Sequence, residues 1–169
     1  AKIINDITSL SNDKDSVKEI SSTQCGLILM HSQGAPKIMQ QNPQYNDVIL
    51  DIFDYFEERI KFCEQHGIDR SRLIIDPGIG FGKNDNHLRR LMKHISIFHG
   101  FGCPILLGSS RKSFIGRWSK KEKEEDRLGG SIASVLWSLS QGVQMYRVHD
   151  VKQTLQALNI WTHIAETKN

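Results

Sequence analysis

The feature that most constrains the fold of this chain is a regular alternation of short β-rich runs with longer stretches of helical periodicity. Five such runs can be recognised by their β-branched and apolar residues. They are "KIINDI" (2–7), "GLILMH" (26–31), "RLIID" (72–76), "PILLGS" (104–109) and "QMYRVH" (144–149). Strands that alternate with helices predict a parallel sheet covered by helices, which is the α/β class.

Helical periodicity fills the gaps between these runs. The clearest helix is predicted over 45–67, where apolar residues recur every three or four positions and Gly67 is well placed to end it. Further helices are predicted over 87–100, 129–142 and 151–165, with a weaker one over about 13–24. The result is five βα units in a row without a long linker, low-complexity tract or internal repeat. We therefore expect a single domain over residues 1–169.

Composition and charge limit the kind of partner. With 169 residues, 38% of them hydrophobic and 24% charged, the chain has the make-up of a soluble globular domain with a proper core. Its net charge of +3 comes from scattered basic residues, which permits small anionic substrates and gives no support for nucleic acid. No segment has the length of a membrane span, and no signal-peptide pattern opens the chain. The 3 cysteines are widely spaced and match no metal or redox motif, so we expect reduced thiols and a cytoplasmic protein.

Two α/β architectures fit this pattern. A doubly wound open sheet is complete with about five strands, whereas a closed (β/α)8 barrel needs eight strands and about 250 residues. Chain length favours the open sheet. Polar residues at the carboxyl end of every β-rich run favour the barrel, because all βα loops of a barrel face one mouth. These residues are Asn5, Asp6, His31, Asp76, Ser109 to Lys112, Arg147, His149 and Asp150.

The motif "DPGIGFGK" (76–83) follows the third β-rich run and looks at first like a phosphate cradle. Its glycines do not have the spacing of a P-loop or of a dinucleotide fingerprint. What remains is a carboxylate, Asp76, at a strand end followed by a glycine-rich turn, which lets the backbone approach a flat ligand closely. The alternative is a flexible loop with a solvated Asp76, and this stretch alone leaves both interpretations open.

The polar residues at the strand ends suggest a site with two halves. Asn5 can donate and accept hydrogen bonds, and Asp76 suits two adjacent N–H groups on the edge of a heterocycle. Arg147 and His149 alternate in a predicted strand and so point the same way, which makes them an anion site for phosphate oxygens. Lys112 can donate to a ring or offset negative charge on a leaving group.

Several of these residues also have a purely structural interpretation. Lys112 fits a surface lysine, and His149 fits a histidine tied to the neighbouring carboxylate of Asp150. Met30 is either a core filler at the strand end or an apolar wall for a flat ring. His31 is not predicted to be catalytic.

Six motifs stand in a fixed order along the chain. They are "INDITSL", "LILMHSQGAP", "LIIDPGIGFGK", "LGSSRKSFIG", "RLGGSIA" and "YRVHDV". In this order and spacing, from residue 2 to about 165, they resemble the dihydropteroate synthase family. The resemblance implies a (β/α)8 barrel enzyme that joins 6-hydroxymethyl-dihydropterin pyrophosphate to 4-aminobenzoate in folate biosynthesis and releases pyrophosphate.

The resemblance also implies how the pterin is bound. Asn5 and Asp76 bond the pterin edge, with Asp76 on its amino-pyrimidine side. Met30 forms part of the apolar floor under the ring. Lys112 reaches the pterin from its other side near the bond that forms, so Lys112 and Asp76 are the implied catalytic residues.

The remaining roles implied by the resemblance concern the second substrate and the leaving group. Gly80 and Phe81 line the space beside the aminobenzoate, and Ser113 lies near its carboxylate. Arg147 and His149 hold the pyrophosphate. Mg²⁺ offsets the charge of the leaving group, and we expect its protein ligand outside this chain, with the substrate pyrophosphate as the other.

The chain departs from the family pattern at its start, because it begins at what resembles the fourth strand. Three βα units are absent, together with the loop that supplies a metal ligand and the loop that closes over aminobenzoate. A smaller departure is Ser32, where the family commonly has a second methionine. We therefore expect a partial TIM (β/α)8 barrel of about five parallel βα units, with weak pterin binding, and we leave turnover by this chain alone open.

Other functions stay open beside dihydropteroate synthase. One is a non-catalytic pterin-binding remnant or fragment of that enzyme. Another is a pterin-dependent methyltransferase, although "SRKS" and "RVHD" argue against it, because a methyl carrier needs no pyrophosphate clamp. A third, from sheet architecture alone, is a flavodoxin-like binding module. The resemblance also implies a homodimer through the last helices, where Trp137 and Trp161 serve either in that contact or in simple core packing.

Overall fold

The computed structural model describes residues 1–13, 15–34, 39 and 42–165, and these contain five parallel strands in one continuous order. The first sheet contains β1 (Ile3–Asp6), β2 (Gly26–Met30) and β3 (Leu73–Asp76), and the second pairs β4 (Leu106–Leu107) with β5 (Met145–Tyr146). A parallel bridge between Ile75 and Ile105 joins the two sheets. The strands therefore follow one another in space in the order of the sequence.

Helices connect successive strands and cover the outer face of this arc. They are α1 (Ser16–Ser21), α2 (Val48–Gln65), α3 (Asp85–Lys93), α4 (Ser113–Trp118), α5 (Leu128–Ser140) and α6 (Val151–Ala165), with 3₁₀ turns at Arg70–Arg72, Ile95–Phe101 and Glu124–Asp126. The bounds of α2 follow from local chemistry. The Asp47 side chain accepts hydrogen bonds from the N–H groups of Ile49 and Leu50, and beyond the last turn Gly67 takes a φ of 80°.

Side chains alternate along the strands and build two unequal cores. Leu27, Leu29, Leu73 and Ile75 are fully buried and pack with the helices in the large outer core. The opposite, inner face carries a small cluster of Ile28, Ile74 and Leu106 with Met145 against it. An outer helix layer and an inner cluster on a sequentially ordered parallel sheet are the arrangement of a (β/α)8 barrel. A flavodoxin-like sheet instead places its second strand outside its first, so that alternative is wrong.

The arc is open at β1. Ile3 and Ile7 are 45% and 43% exposed, and Asn5 between them is exposed as well. In a closed barrel the inner face of a strand is covered by layers of side chains from the other strands. The fold is therefore the predicted α/β partial barrel of five βα units, with an uncovered inner face at its first strand.

Four of the five predicted strands were too long at their carboxyl ends, and only the third ends as predicted, at Asp76. The fourth and fifth end at Leu107 and Tyr146, although the runs 104–109 and 144–149 continue in polar residues. Those residues leave the ladder because their polar groups bond across to the neighbouring loop, as the His149 N–H does with the Ser110 hydroxyl after β4. Helix α4 was not predicted, since six residues are too few to show periodicity.

Three other predictions have mixed outcomes. The helix predicted over 87–100 divides into α3 and a 3₁₀ turn, because His94 leaves the α-helical region with a φ of −116°. The weak helix over 13–24 shortens to α1, and its Lys14 lies outside the described residues, as do Ala35 and Pro36 of "LILMHSQGAP". In the described ranges no helix combines the length and the apolar character needed to cross a membrane.

Candidate functional site

The glycine-rich turn after β3 packs directly on the loop after β2. Gly78, Gly80 and Gly82 have φ values of 68°, 82° and 63°, a region that favours glycine. A Cβ at Gly78 would overlap the carbonyl oxygen of His31, and one at Gly82 would lie 2.5 Å from the carbonyl oxygen of Gln33. The turn therefore needs glycine both for its backbone conformation and for its close approach.

Asp76 ends β3 as a buried carboxylate surrounded by cations. Asp76 is 1% exposed, and its Oδ1 accepts a hydrogen bond of 2.8 Å from the Gly78 N–H. Burial raises the pKa of Asp76, while the Gly78 bond and the charges of Lys112, Arg147 and Lys83 oppose that rise. Arg147 Nη2 lies 4.0 Å from Asp76 Oδ2. Asp76 is thus not the solvated carboxylate of the flexible-loop interpretation, and oxygen acceptors remain on it for a bound heterocycle.

Lys112 reaches across the turn rather than into solvent. It follows Arg111, which takes a left-handed φ of 56° in the loop after β4. Lys112 Nζ donates to the carbonyl of Ile79 and lies 4.5 Å from the ring centroid of Phe81. Burial lowers the pKa of Lys112 to about 8, with Asp76 opposing the change. The interpretation of Lys112 as a plain surface lysine is therefore wrong.

A second lysine, Lys83, lies buried behind the turn. It is 2% exposed, and its Nζ lies 2.9 Å from His31 Nδ1 and 3.0 Å from the carbonyl oxygen of Phe81. Burial lowers the pKa of Lys83 to about 7, and burial and the Lys83 charge lower the pKa of His31 to about 2. The His31 ring is therefore neutral, and its Nδ1 can accept a hydrogen bond from Lys83. Sequence reasoning missed Lys83, because its spacing failed the phosphate-cradle test and nothing in the sequence linked it to His31.

Asn5 and Met30 belong to the same inner face as Asp76. Met30 is paired with Asp76 in the sheet register and is 1% exposed. Asn5 is paired with Ile28, one inward-facing residue before Met30, and it lies exposed on β1. The three residues share a face, and only Asn5 is open to solvent.

Arg147 and His149 lie beyond β5, beside the loop after β4. His149 Nδ1 is 3.0 Å from the Ser110 hydroxyl, so the predicted alternative of a histidine tied to Asp150 is wrong. Asp150 instead accepts from Arg111 Nη2 at 2.5 Å and from Arg111 Nε at 3.0 Å. This ion pair lowers the pKa of Asp150 and joins the "SSRKS" loop to the "RVHD" loop. Sequence reasoning did not foresee Ser110, Arg111 or Asp150 in these contacts.

Two adjoining clefts open beside these residues. The larger, of about 650 Å³, is lined by Met39, Gly80, Phe81, Lys83, Asn84, Asp85, Leu88, Lys112, Ser113, Phe114 and Arg117. The smaller, of about 370 Å³, is lined by Gly108, Ser110, Arg111, Lys112, Ser113, Glu124, Arg127, Arg147, Val148 and His149. Lys112 and Ser113 line both, so they stand where the clefts meet. Asp76 lies behind them and lines neither.

The structure therefore brings most of the predicted site residues together. Gly80, Phe81, Ser113 and Lys112 share the larger cleft, and Arg147 and His149 share the smaller one with Lys112. No group of three or more His, Cys, Asp and Glu side chains that could hold a metal occurs within the ranges given above for the structure.

Comparison with known proteins identifies the family. The sequence profile described as "Pterin binding enzyme" matches residues 1–149. The chain belongs to the pterin-binding enzyme family. Within this family it is 44% identical over 160 residues to dihydropteroate synthase of Escherichia coli strain K12, covering 95% of this chain and 56% of that protein. It is 36% identical over 153 residues to the Bacillus subtilis enzyme, covering 90% of this chain and 51% of that protein.

Solved structures of the family agree. Yersinia pestis dihydropteroate synthase in a sulfonamide drug complex superposes with a TM-score of 0.95 at 40% identity, over 99% of this chain and 61% of that one. The Xanthomonas albilineans enzyme in complex with 7,8-dihydropteroate gives a TM-score of 0.91 at 34% identity, over 99% and 62%. The chain thus spans little more than half the length of the relatives it matches.

Proposed function

We propose that this chain carries the pterin- and pyrophosphate-binding part of a dihydropteroate synthase. The observation that carries the proposal is the position of Lys112, which lines both clefts and interacts with the buried Asp76. One lysine thus connects a carboxylate that suits a heterocycle with a cationic pair that suits an anion. A substrate with a pterin at one end and a pyrophosphate at the other matches that arrangement.

The pterin half of the proposal uses the inner face. Asp76 accepts two N–H groups of the amino-pyrimidine edge, and Asn5 bonds another part of that edge. Met30 forms an apolar floor under the ring. Because Asp76 is 1% exposed, neighbouring side chains such as Arg147, whose Nη2 lies 4.0 Å from Asp76 Oδ2, would have to move before a pterin could reach it.

The aminobenzoate half uses the larger cleft. Gly80, Phe81 and Ser113 line it, and the Ser113 hydroxyl accepts a hydrogen bond of 2.7 Å from Arg117 Nη1. A carboxylate near Ser113 would be attracted by the Arg117 guanidinium, which also bonds Asp85. The apolar ring of 4-aminobenzoate would lie against Phe81 with its amine toward Lys112.

The reaction in this proposal is a displacement at the pterin methylene carbon. The bond from that carbon to a pyrophosphate oxygen breaks, the aromatic amine nitrogen forms the new bond, and the amine proton leaves to solvent. Lys112, whose pKa of about 8 keeps it mostly charged at pH 7, offsets the charge that develops on the leaving group, and Arg147 and His149 hold it.

Mg²⁺ does not fit a protein site among the residues that the structure describes. The described residues hold no cluster of acidic, histidine or cysteine side chains of the needed size, and the smaller cleft is cationic. In the proposal, Mg²⁺ accompanies the pyrophosphate, with any protein ligand supplied from outside this chain. The proposal also includes a single domain over 1–169, a cytoplasmic location, small-molecule substrates and a homodimer. Trp137 and Trp161, at 48% and 39% exposed, are not core residues and are free to serve in a dimer contact.

A second candidate function is a pterin-binding remnant without turnover. The exposed side chains of Ile3, on the inner face of β1, and of Ile7, directly after β1, favour this candidate.

The test is to incubate the chain with dihydropterin pyrophosphate, Mg²⁺ and labelled 4-aminobenzoate, and to measure pterin binding in parallel. Labelled dihydropteroate that is lost in Lys112→Met supports the enzyme. Binding without product supports the remnant, and no binding at all rejects both.

A further inference from the structure

Two lysines bind carbonyl groups of the glycine turn. Lys112 Nζ donates to the carbonyl of Ile79, and Lys83 Nζ donates to the carbonyl of Phe81 at 3.0 Å. The alternating glycines with positive φ let two carbonyls of one short turn meet two different ammonium groups. The motif that looks like a phosphate cradle is therefore a turn whose carbonyl oxygens receive cations.

The two lysines differ in their access to ligand. Lys112 lines both clefts and is free to change partner when a substrate enters. Lys83 is held from behind by His31 Nδ1 at 2.9 Å. The His31 ring is itself fixed edge-on against Tyr55, with a centroid separation of 4.9 Å, and is 6.0 Å from the ring of Tyr45. Tyr45 also donates from its hydroxyl to the carbonyl of Gly82 at 2.8 Å.

We propose that Lys83, held by the ring of His31, is a positioning residue that fixes the glycine turn so that Asp76 and the ring of Phe81 keep the places a pterin and an aminobenzoate require. This inference rests on the proposed function for its ligands. The contact of Lys83 with the turn is a property of the chain itself, and its effect on the turn can be measured without those ligands.

The charge of Lys83 matters here, not only its volume. An ammonium group this deeply buried is disfavoured relative to water, as its lowered pKa reflects. A methionine would fill nearly the same space without that cost. A methionine cannot donate directed hydrogen bonds to the Phe81 carbonyl and to His31, and it places no positive charge near Asp76. Positioning therefore depends on the N–H donors and the charge.

The experiment compares three variants of the 169-residue chain. Lys83→Met keeps the volume and removes the donors. Lys83→Ala opens a space at the wall of the larger cleft, which a small solute can enter. Lys93→Met is the matched control, because Lys93 is exposed near the end of α3. Each is measured for its affinity for dihydropterin pyrophosphate and for amide hydrogen exchange over residues 78–82.

We expect Lys83→Met to fold, to bind the pterin at least about tenfold more weakly, and to exchange the turn amides at least about tenfold faster. Lys93→Met should match the parent chain. In Lys83→Ala, propylammonium should restore a large part of the affinity, whereas 1-propanol of similar size should restore none. Should Lys83→Met not fold, Lys83→Gln, which keeps an N–H donor, takes its place and should lose less affinity than Lys83→Ala.

Rescue by propanol as well as by propylammonium would overturn the inference, because volume alone would then suffice. So would parent-like affinity and exchange in Lys83→Met. If the parent chain binds no pterin, the proposed function fails instead, and the exchange of the turn amides alone decides the role of Lys83. Amide exchange over residues 78–82 that is unchanged in Lys83→Met would then reject the positioning role of Lys83.

Discussion

Replacing Asp76 by asparagine separates pterin recognition from folding. The amide oxygen can still accept the 2.8 Å hydrogen bond from the Gly78 N–H, so the turn keeps its anchor. The burial that raises the pKa of Asp76 disfavours its charge, and asparagine removes that cost. Lys83 and Lys112 in turn lose an attractive neighbour, which lowers their pKa values further. These effects oppose each other, so we expect the free energy of unfolding to change by no more than about 1 kcal/mol.

The effect on binding has no such compensation. A carboxylate at Asp76 accepts two N–H groups of an amino-pyrimidine, whereas an amide turns one of its own N–H donors toward one of them. Loss of one partner of a buried, charge-assisted contact costs about 2–5 kcal/mol. At about 1.4 kcal/mol per tenfold change, the affinity should fall by roughly 30-fold to several thousandfold.

The assay is calorimetric titration of dihydropterin pyrophosphate into the parent chain and Asp76→Asn, paired with urea unfolding of both. A variant that folds normally and binds at least about 30-fold more weakly agrees with the reasoning. Affinity within threefold of the parent would refute the role of Asp76 as pterin acceptor. A destabilisation of several kcal/mol would refute the claim that its charge is disfavoured by burial.

Three further predictions concern the structure around the site. Gly78→Ala should lower the unfolding free energy in urea by at least about 3 kcal/mol, because strain and backbone overlap add, whereas Gly67→Ala, with a φ of 80° and nothing within 4 Å, should cost only about 1–2 kcal/mol. The folded pKa of Lys83, about 7, lies below its unfolded value of 10.5, so the unfolded chain binds more protons between these pH values. Stability should therefore rise with pH across this window, less steeply in Lys83→Met, as followed by melts from pH 6 to 10. Asp150→Asn should strengthen binding of inorganic pyrophosphate by roughly threefold to tenfold, since it removes a negative charge beside the cationic cleft and frees Arg111 from a partly buried ion pair, while Asp126→Asn on the surface should not.

Strand and helix patterns predicted the fold well because burial follows periodicity. The run "GLILM" became β2 with four buried residues in succession, as expected for a strand covered on both faces. The weak points were the ends of β4 and β5, where polar residues bond from one loop to the next instead of extending the ladder. Length alone favoured an open sheet, and the sequential strand order decided for the barrel.

The site was predictable where a residue's chemistry is visible in its type and strand position. Arg147, His149 and Lys112 were named in this way, and they line adjoining clefts. Lys83 was not predictable, because its partner His31 lies 52 residues away and the contact exists only after β2 and β3 pair. Whether a lysine is exposed or buried depends on tertiary packing that no local pattern encodes.

The central claim is that this chain alone holds a folded site for a pterin linked to pyrophosphate. A thermal melt with and without dihydropterin pyrophosphate and Mg²⁺ tests it most directly, since a ligand at a hundredfold excess over Kd adds roughly 2.7 kcal/mol to stability. For a domain of this size that predicts a rise in Tm of about 5–10 °C, reduced in Asp76→Asn and in Arg147→Ala. A midpoint that does not move with saturating ligand would contradict the claim.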